Sequence, residues 1–119
     1  DIFNIMDLPL LVNGDRLPVM VFVTCAAGRF DIPGYVSLSE ALLLKDYGGI
    51  VTALAPSSAS YNSQAGLLVE ELYKAAFSAN EKDLGSAWLR AAKNFILQGG
   101  KPFVLNIFNL LGDPAVRFK

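Results

Sequence analysis

Leu17-Pro18-Val19-Met20-Val21-Phe22-Val23-Thr24-Cys25 is the stretch from which the fold can be read. It is apolar and rich in β-branched residues, and it does not alternate with polar ones. That pattern suits a strand buried on both faces of a parallel sheet. Ala26-Ala27-Gly28 ends the run, and a loop containing Gly and Pro continues to Val36. Ser37-Leu38-Ser39-Glu40 then has the S-x-x-E form of a capping box, ahead of Ala41-Leu42-Leu43-Leu44. A helix is predicted there, stopped by Gly48-Gly49. Ile50-Val51-Thr52-Ala53-Leu54 predicts a second buried strand, closed by Pro56.

Working outward, a polar loop from Ser57 to Ser63 leads into a helix whose apolar residues fall at Ala65, Leu68, Val69, Leu72 and Ala76. That is the spacing of one helical face. Leu84, Trp88, Leu89, Ala92, Phe95 and Ile96 repeat it in a further helix ended by Gly99-Gly100, so Trp88 reads as core. The tail from Phe103 to Lys119 holds two short extended candidates flanking Gly112-Asp113-Pro114. Residues 1 to 16 are ambiguous: Ile2, Phe3, Ile5, Met6 and Leu10 are apolar, Pro9 limits any helix, and Asn13-Gly14 reads as a turn. Strands alternating with helices predict a layered α/β fold with a mostly parallel sheet. Two or three strands are few for such a sheet, so further strands are expected upstream.

Composition narrows the function. Hydrophobic residues make up 53% of the 119 and charged ones 18%, below the roughly 25% usual in soluble domains. A small domain has much surface to clothe, so some apolar faces are expected to be covered by other protein. The net charge of −1 favours neither a nucleic-acid backbone nor an anionic membrane, which call for clustered Lys and Arg. No apolar run approaches the roughly 20 residues of a membrane span. With one Cys and no His, an internal disulfide is impossible and a zinc or transition-metal site is not expected. No Gly-rich phosphate loop follows either strand, so a nucleotide or flavin cofactor has no support. The chain begins at Asp1 and reads as a processed segment of a larger protein.

Cys25 is the residue on which catalysis would turn. A free Cys in an apolar strand is ordinarily a small buried hydrophobe. Against that, Cys25 ends a predicted parallel strand, where open α/β sheets place their catalytic groups. Ala26, Ala27 and Gly28 are small enough to let a substrate backbone approach. A cysteine nucleophile must be a thiolate, made by a base or a positive field. Arg29, Asp31 and Glu40 are the first charged residues that follow it in sequence. Carboxylates oppose thiol ionisation, and Arg29 cannot shuttle a proton to a leaving amine. Glu40 is first a capping residue, and Asp113, between Gly and Pro, is first a turn residue.

Val23-Thr24-Cys25-Ala26-Ala27-Gly28 resembles the nucleophile strand of the gingipain family of cysteine peptidases, in which a Gly follows the Cys by three residues. Ser37 to Leu43 is similar to the family's next helix, Gly49 to Ser57 to its following strand and loop, and Asn109 to Val116 to its closing Gly-Asp-Pro signature. Four motifs in order over about 100 residues make the match specific. The resemblance implies a caspase-like three-layer α/β/α fold, incomplete in this chain, with residues 1–119 forming the C-terminal part of a gingipain-like peptidase domain. It implies hydrolysis of peptide bonds through a Cys–His dyad with Cys25 as nucleophile. The His-Gly segment that completes the dyad and oxyanion hole lies upstream in the family, so these residues alone are expected to be inactive. The Cys25 N–H is the expected second oxyanion donor. The Ser57–Ser63 loop borders the substrate pocket in the family, and Tyr61 falls near a pocket-wall tryptophan of its arginine-specific members; an ordinary surface tyrosine is the alternative. Implied partners are a peptide or protein substrate and the rest of the peptidase domain, with a second copy of the chain another cover for the sheet edge. No cofactor, metal, nucleic acid or membrane span is expected, and family habit places the protein outside the cell or at its surface. A non-catalytic scaffold with an inert Cys25 is the competing function.

Overall fold

The computed structural model describes residues 3–118. Asp1, Ile2 and Lys119, which the sequence reading included at the two ends, lie outside them. The described elements in order are a short 3-10 helix (Ile5–Leu10), β1 (Val19–Val21), α1 (Leu38–Leu43), β2 (Thr52–Pro56), α2 (Asn62–Tyr73), α3 (Leu84–Leu97), α4 (Phe103–Ile107) and β3 (Phe108–Gly112). A π-helical turn, Lys74–Ser78, continues α2. The sheet runs β1-β2-β3, with β1 and β2 parallel and β3 antiparallel to β2.

β2 explains the layering. All five of its residues are buried, and successive side chains point to opposite faces. Leu54 enters one core with Leu68 and Leu72 of α2, Ala87, Ala91 and Phe95 of α3, and Phe108. Ala53 and Ala55 enter the other, with Phe22, Ala27, Leu42 and Ile50. Helices therefore cover both faces of the sheet, the three-layer α/β/α arrangement that the family resemblance implied; the unbroken apolar runs predicted burial on both faces.

The first strand is narrower than its sequence. Of Leu17–Cys25 only Val19–Val21 pair as a strand, and all three are half-buried rather than buried. β1, like β3, is an outer strand of the sheet, so among the described residues one of its edges has no neighbour. Phe22 prolongs the pairing by one bond, donating to the Leu54 carbonyl at 2.9 Å. Beyond it the chain leaves the sheet.

Two helices also depart from expectation. On α3 the buried residues are Leu84, Ala87, Ala91 and Phe95, while Leu89 is 73% exposed and Trp88 only packs against the core. Ala87 and Ala91, both fully buried, let α3 approach α2 closely and rotate the buried stripe away from the larger Leu89. In the tail, the extended candidate before Gly112 is β3, but Phe103–Ile107 ahead of it is helical. Val104 is completely buried, and its burial overrides the β-forming character of the segment. The second extended candidate survives as one bridge, Arg117 with Asp83. Among the described residues no helix is long and apolar enough to cross a membrane.

Glu71 is a charged residue the α2 stripe did not announce. Its side chain is 2% exposed and accepts from Lys74 Nζ at 2.8 Å. That hydrogen bond holds its carboxyl below the ordinary 4.5, against the opposing effect of burial and with help from Gln98 and Asn94. A depressed carboxylate contributes stability that is present above the unfolded value and lost as pH falls through the folded one. Glu71→Gln is therefore expected to cost about 1–2 kcal/mol at pH 7. It should also flatten the loss of stability below pH 4.5, as read by urea unfolding across pH.

Candidate active site

Cys25 sits at the start of a tight turn, Cys25–Gly28, four residues past the end of β1. Three sets of hydrogen bonds hold this turn. The Ala26 N–H donates to the Ser58 carbonyl at 3.3 Å and the Gly28 N–H to the Pro56 carbonyl at 3.0 Å, tying it to the end of β2. The Arg29 N–H donates back to the Ala26 carbonyl at 3.3 Å. The Ala27 carbonyl accepts from the Ser39 N–H at 3.1 Å and from Ser39 Oγ at 2.8 Å.

The capping box read from sequence supplies the third support. Glu40 accepts from the Ser37 hydroxyl at 2.7 Å and from the Ser37 N–H at 2.9 Å, while Ser37 Oγ lies 3.2 Å from Ser39 Oγ. The Ser37 hydroxyl, and then its N–H, holds the Glu40 carboxyl below the usual carboxylate range. Glu40 is thus occupied in starting α1, and through Ser39 that start fixes the turn bearing Cys25.

Gly28 has a different role from the one its smallness suggested. A Cβ there would lie 2.7 Å from Ala55 Cβ and 3.0 Å from the Ala55 oxygen. The glycine lets the turn lie flat on β2. Ala27 is likewise buried, in the α1-side core, although it also lines the hollow beside Cys25. Ala26 has φ +59°, a left-handed conformation uncommon for a residue with a side chain. Such backbone persists where the surroundings over-determine it, often beside reactive groups.

The outcome for Cys25 is exposure. It is not the buried hydrophobe that its apolar run made the ordinary expectation, because the strand ends before reaching it. Its Sγ makes one long contact, 3.9 Å to the Ser60 carbonyl. Among the described residues its N–H donates to no protein acceptor. Arg29, the nearest cation in sequence, instead faces Asp31 at 3.4 Å, with both side chains about half exposed. No group of three or more His, Cys, Asp and Glu that could hold a metal occurs among the described residues.

One hollow borders the thiol, and a second lies beyond Ser60. The first, of about 500 Å³, is lined by Cys25 with Phe3, Asn4, Thr24, Tyr35 and Leu38 among others. The second, of about 540 Å³, is lined by Ala59, Ser60, Tyr61, Lys101 and Phe103. Ser60 joins them, since its carbonyl faces Cys25 Sγ. Tyr61 caps the start of α2 without a side-chain hydrogen bond. Its ring stands edge-on to Phe103, centroids 6.2 Å apart at 86°. The structure thus brings the loop of Tyr61 beside Cys25. Lys101 and Phe103 were missed by sequence reasoning. Their one signal is Gly99-Gly100, the turn that folds the chain back over α2.

The family model described as peptidase family C25 matches residues 1–119. The chain belongs to peptidase family C25. No curated protein matches it. Among solved structures, the Arg-specific cysteine proteinase gingipain R is similar with a TM-score of 0.87 and 20% identity, over 98% of this chain and 29% of that one. The complex of the Porphyromonas gingivalis RgpB pro- and mature domains gives 0.82 and 20%, over 95% and 29%. At that identity the likeness shows the fold, and the fold is that of a gingipain. The chain spans 29% of the length of each of these solved relatives. C25 membership gives Cys25, the single cysteine of the chain, the setting of a cysteine peptidase.

Proposed function

We propose that the chain carries the nucleophile of a cysteine endopeptidase, and that Cys25 is that nucleophile. The observation that supports this best is the clamped turn: an exposed thiol follows a parallel strand, its neighbour Ala26 is left-handed, and a hollow of about 500 Å³ opens beside it. In the reaction an imidazole accepts the thiol proton, and Sγ attacks the carbonyl carbon of the substrate. The tetrahedral adduct collapses to a thioester, and the leaving amine takes the proton from the imidazolium. Water, losing a proton to the imidazole, then releases the acid and restores the thiol. The Cys25 N–H is one donor to the oxyanion.

The imidazole comes from another part of the protein, since the 119 residues contain no His. The isolated segment is accordingly expected to be inactive. The outer edge of β1 is covered in this proposal by further strands of the peptidase domain, with a second copy of the chain as the other cover; an uncovered edge strand of this kind pairs readily. A peptide or protein is the substrate, and a secreted or surface location follows family habit.

Because Cys25 is exposed, alkylation by a small reagent does not separate an enzyme from a scaffold. The test is the full-length protein treated with a peptidyl acyloxymethyl ketone alongside iodoacetamide. Stoichiometric labelling of Cys25 by the peptidyl reagent, much faster than by iodoacetamide, is expected. A folded protein in which both reagents label Cys25 at the slow rate of a free thiol would point to the scaffold.

A further inference from the structure

One side chain from outside the turn of Cys25 reaches into it. Ser39 is the second helical residue of α1 and is completely buried. Its N–H is one of the donors that the start of a helix leaves without an internal partner. That N–H goes to the Ala27 carbonyl at 3.1 Å, and the Ser39 hydroxyl donates to the same oxygen at 2.8 Å. Ser37 Oγ lies 3.2 Å behind the hydroxyl and is itself bonded to Glu40 at 2.7 Å. The other hydrogen bonds that hold residues 26 to 28 run between backbone groups.

A buried hydroxyl gives up its water and is tolerated only with a partner. Alanine would fill the same place without that cost, and it is the better helix former. Packing and helix formation therefore give no reason for the hydroxyl, whereas the turn does. Ala26 is left-handed at φ +59°, and a residue with a side chain stays so only where its surroundings fix the chain around it. The peptide unit that follows, Ala27 to Gly28, is gripped on both sides. Its oxygen is held by Ser39, and its N–H donates to the Pro56 carbonyl at 3.0 Å.

We propose that Ser39 is a positioning residue for the reaction: by gripping the Ala27 carbonyl, its hydroxyl holds Cys25 Sγ and the Cys25 N–H where the attacked carbonyl needs them. The proposal rests on Cys25 being the nucleophile. Ser39 is buried out of reach of a substrate, so its effect passes through the turn. In Ser39→Ala the Ala27 oxygen keeps the Ser39 N–H, and the variant is expected to fold. It loses the second bond, and the peptide unit is free to rock about the first. Misplacing a reacting atom by about 1 Å costs about 100-fold in rate. The turn keeps its four backbone bonds, and the expected loss is about tenfold.

The experiment compares full-length wild type, Ser39→Ala and Thr52→Val in their reaction with the peptidyl acyloxymethyl ketone. Thr52 is a matched control: it is completely buried, and its hydroxyl donates to the Asp113 carbonyl at 3.3 Å, at the opposite end of β2 from Pro56. Circular dichroism checks folding, and thermal melts record what each lost hydroxyl costs in stability. Labelling of Cys25 over a range of reagent concentrations separates the maximal rate from the binding constant. Ser39→Ala is expected to lower the maximal rate about tenfold and move the binding constant by less than about twofold, while Thr52→Val changes neither. A wild-type maximal rate in Ser39→Ala, or an equal fall in Thr52→Val, overturns the proposal and leaves Cys25 as the nucleophile. Wild type labelled only at the slow rate of a free thiol overturns the enzymatic reading, and this one with it.

Discussion

Cys25→Ala is expected to lower turnover of the full-length protein by about 10,000-fold or more, while its melting temperature moves by no more than about 2 °C. The two halves of the expectation have separate causes. In the proposed reaction Sγ is the atom that bonds to the substrate carbonyl, and removing one member of a cooperating catalytic group removes nearly all that the group contributes. The same side chain packs against little. It is exposed, its one contact is 3.9 Å long, and the turn is held by backbone bonds of Ala26, Ala27, Gly28 and Arg29. Cys25→Ser should be as inactive, because a hydroxyl ionises far less readily than a thiol at the same place. Peptide turnover and calorimetry on the two variants check both halves.

The second large effect is expected at Gly28. Gly28→Ala puts a Cβ at a separation from Ala55 Cβ that real side chains essentially never show, and β2 cannot yield because both of its faces are packed. The turn must lift instead. Overpacking of this kind costs about 1–3 kcal/mol. A displacement of the thiol of order 1 Å is expected to lower kcat about 100-fold. Adding Ala55→Gly removes the Cβ that is struck and should return part of the activity, although the Ala55 oxygen stays close and glycine within a strand costs about 1 kcal/mol by itself. Independent, additive losses in the double variant would contradict the contact.

β2 was legible as an unbroken apolar run, though it spans Thr52–Pro56 and takes in the Pro56 expected to close it, and α2 because its apolar residues follow a helical period that burial enforces. Ser37 and Glu40 were legible because a capping box is local: both partners lie within four residues. Cys25 was expected at the end of a strand, but β1 stops at Val21, and the exposure that follows from this was not legible. The apolar run continues through Phe22 and Val23 although pairing stops, and Val23 is 44% exposed. The phase of α3 was lost because Ala87 and Ala91 carry the packing, and alanine gives a weak signal beside Trp88 and Leu89. Gly28 looked like room for a substrate, and its neighbour Ala55 lies on another strand. Lys101 joins Tyr61 through a turn 37 residues on from Gln64, a distance over which no local pattern speaks.

A covalent bond between Cys25 and the substrate is the central event of the proposed reaction. Full-length protein mixed with a slowly hydrolysed ester or peptide, quenched in acid during turnover and digested, gives a direct reading by mass spectrometry. The peptide containing Cys25 is expected to carry the mass of the acyl group, lost on treatment with hydroxylamine and absent in Cys25→Ala. Turnover that proceeds with Cys25 never acylated, or with the acyl group on another residue, would contradict it.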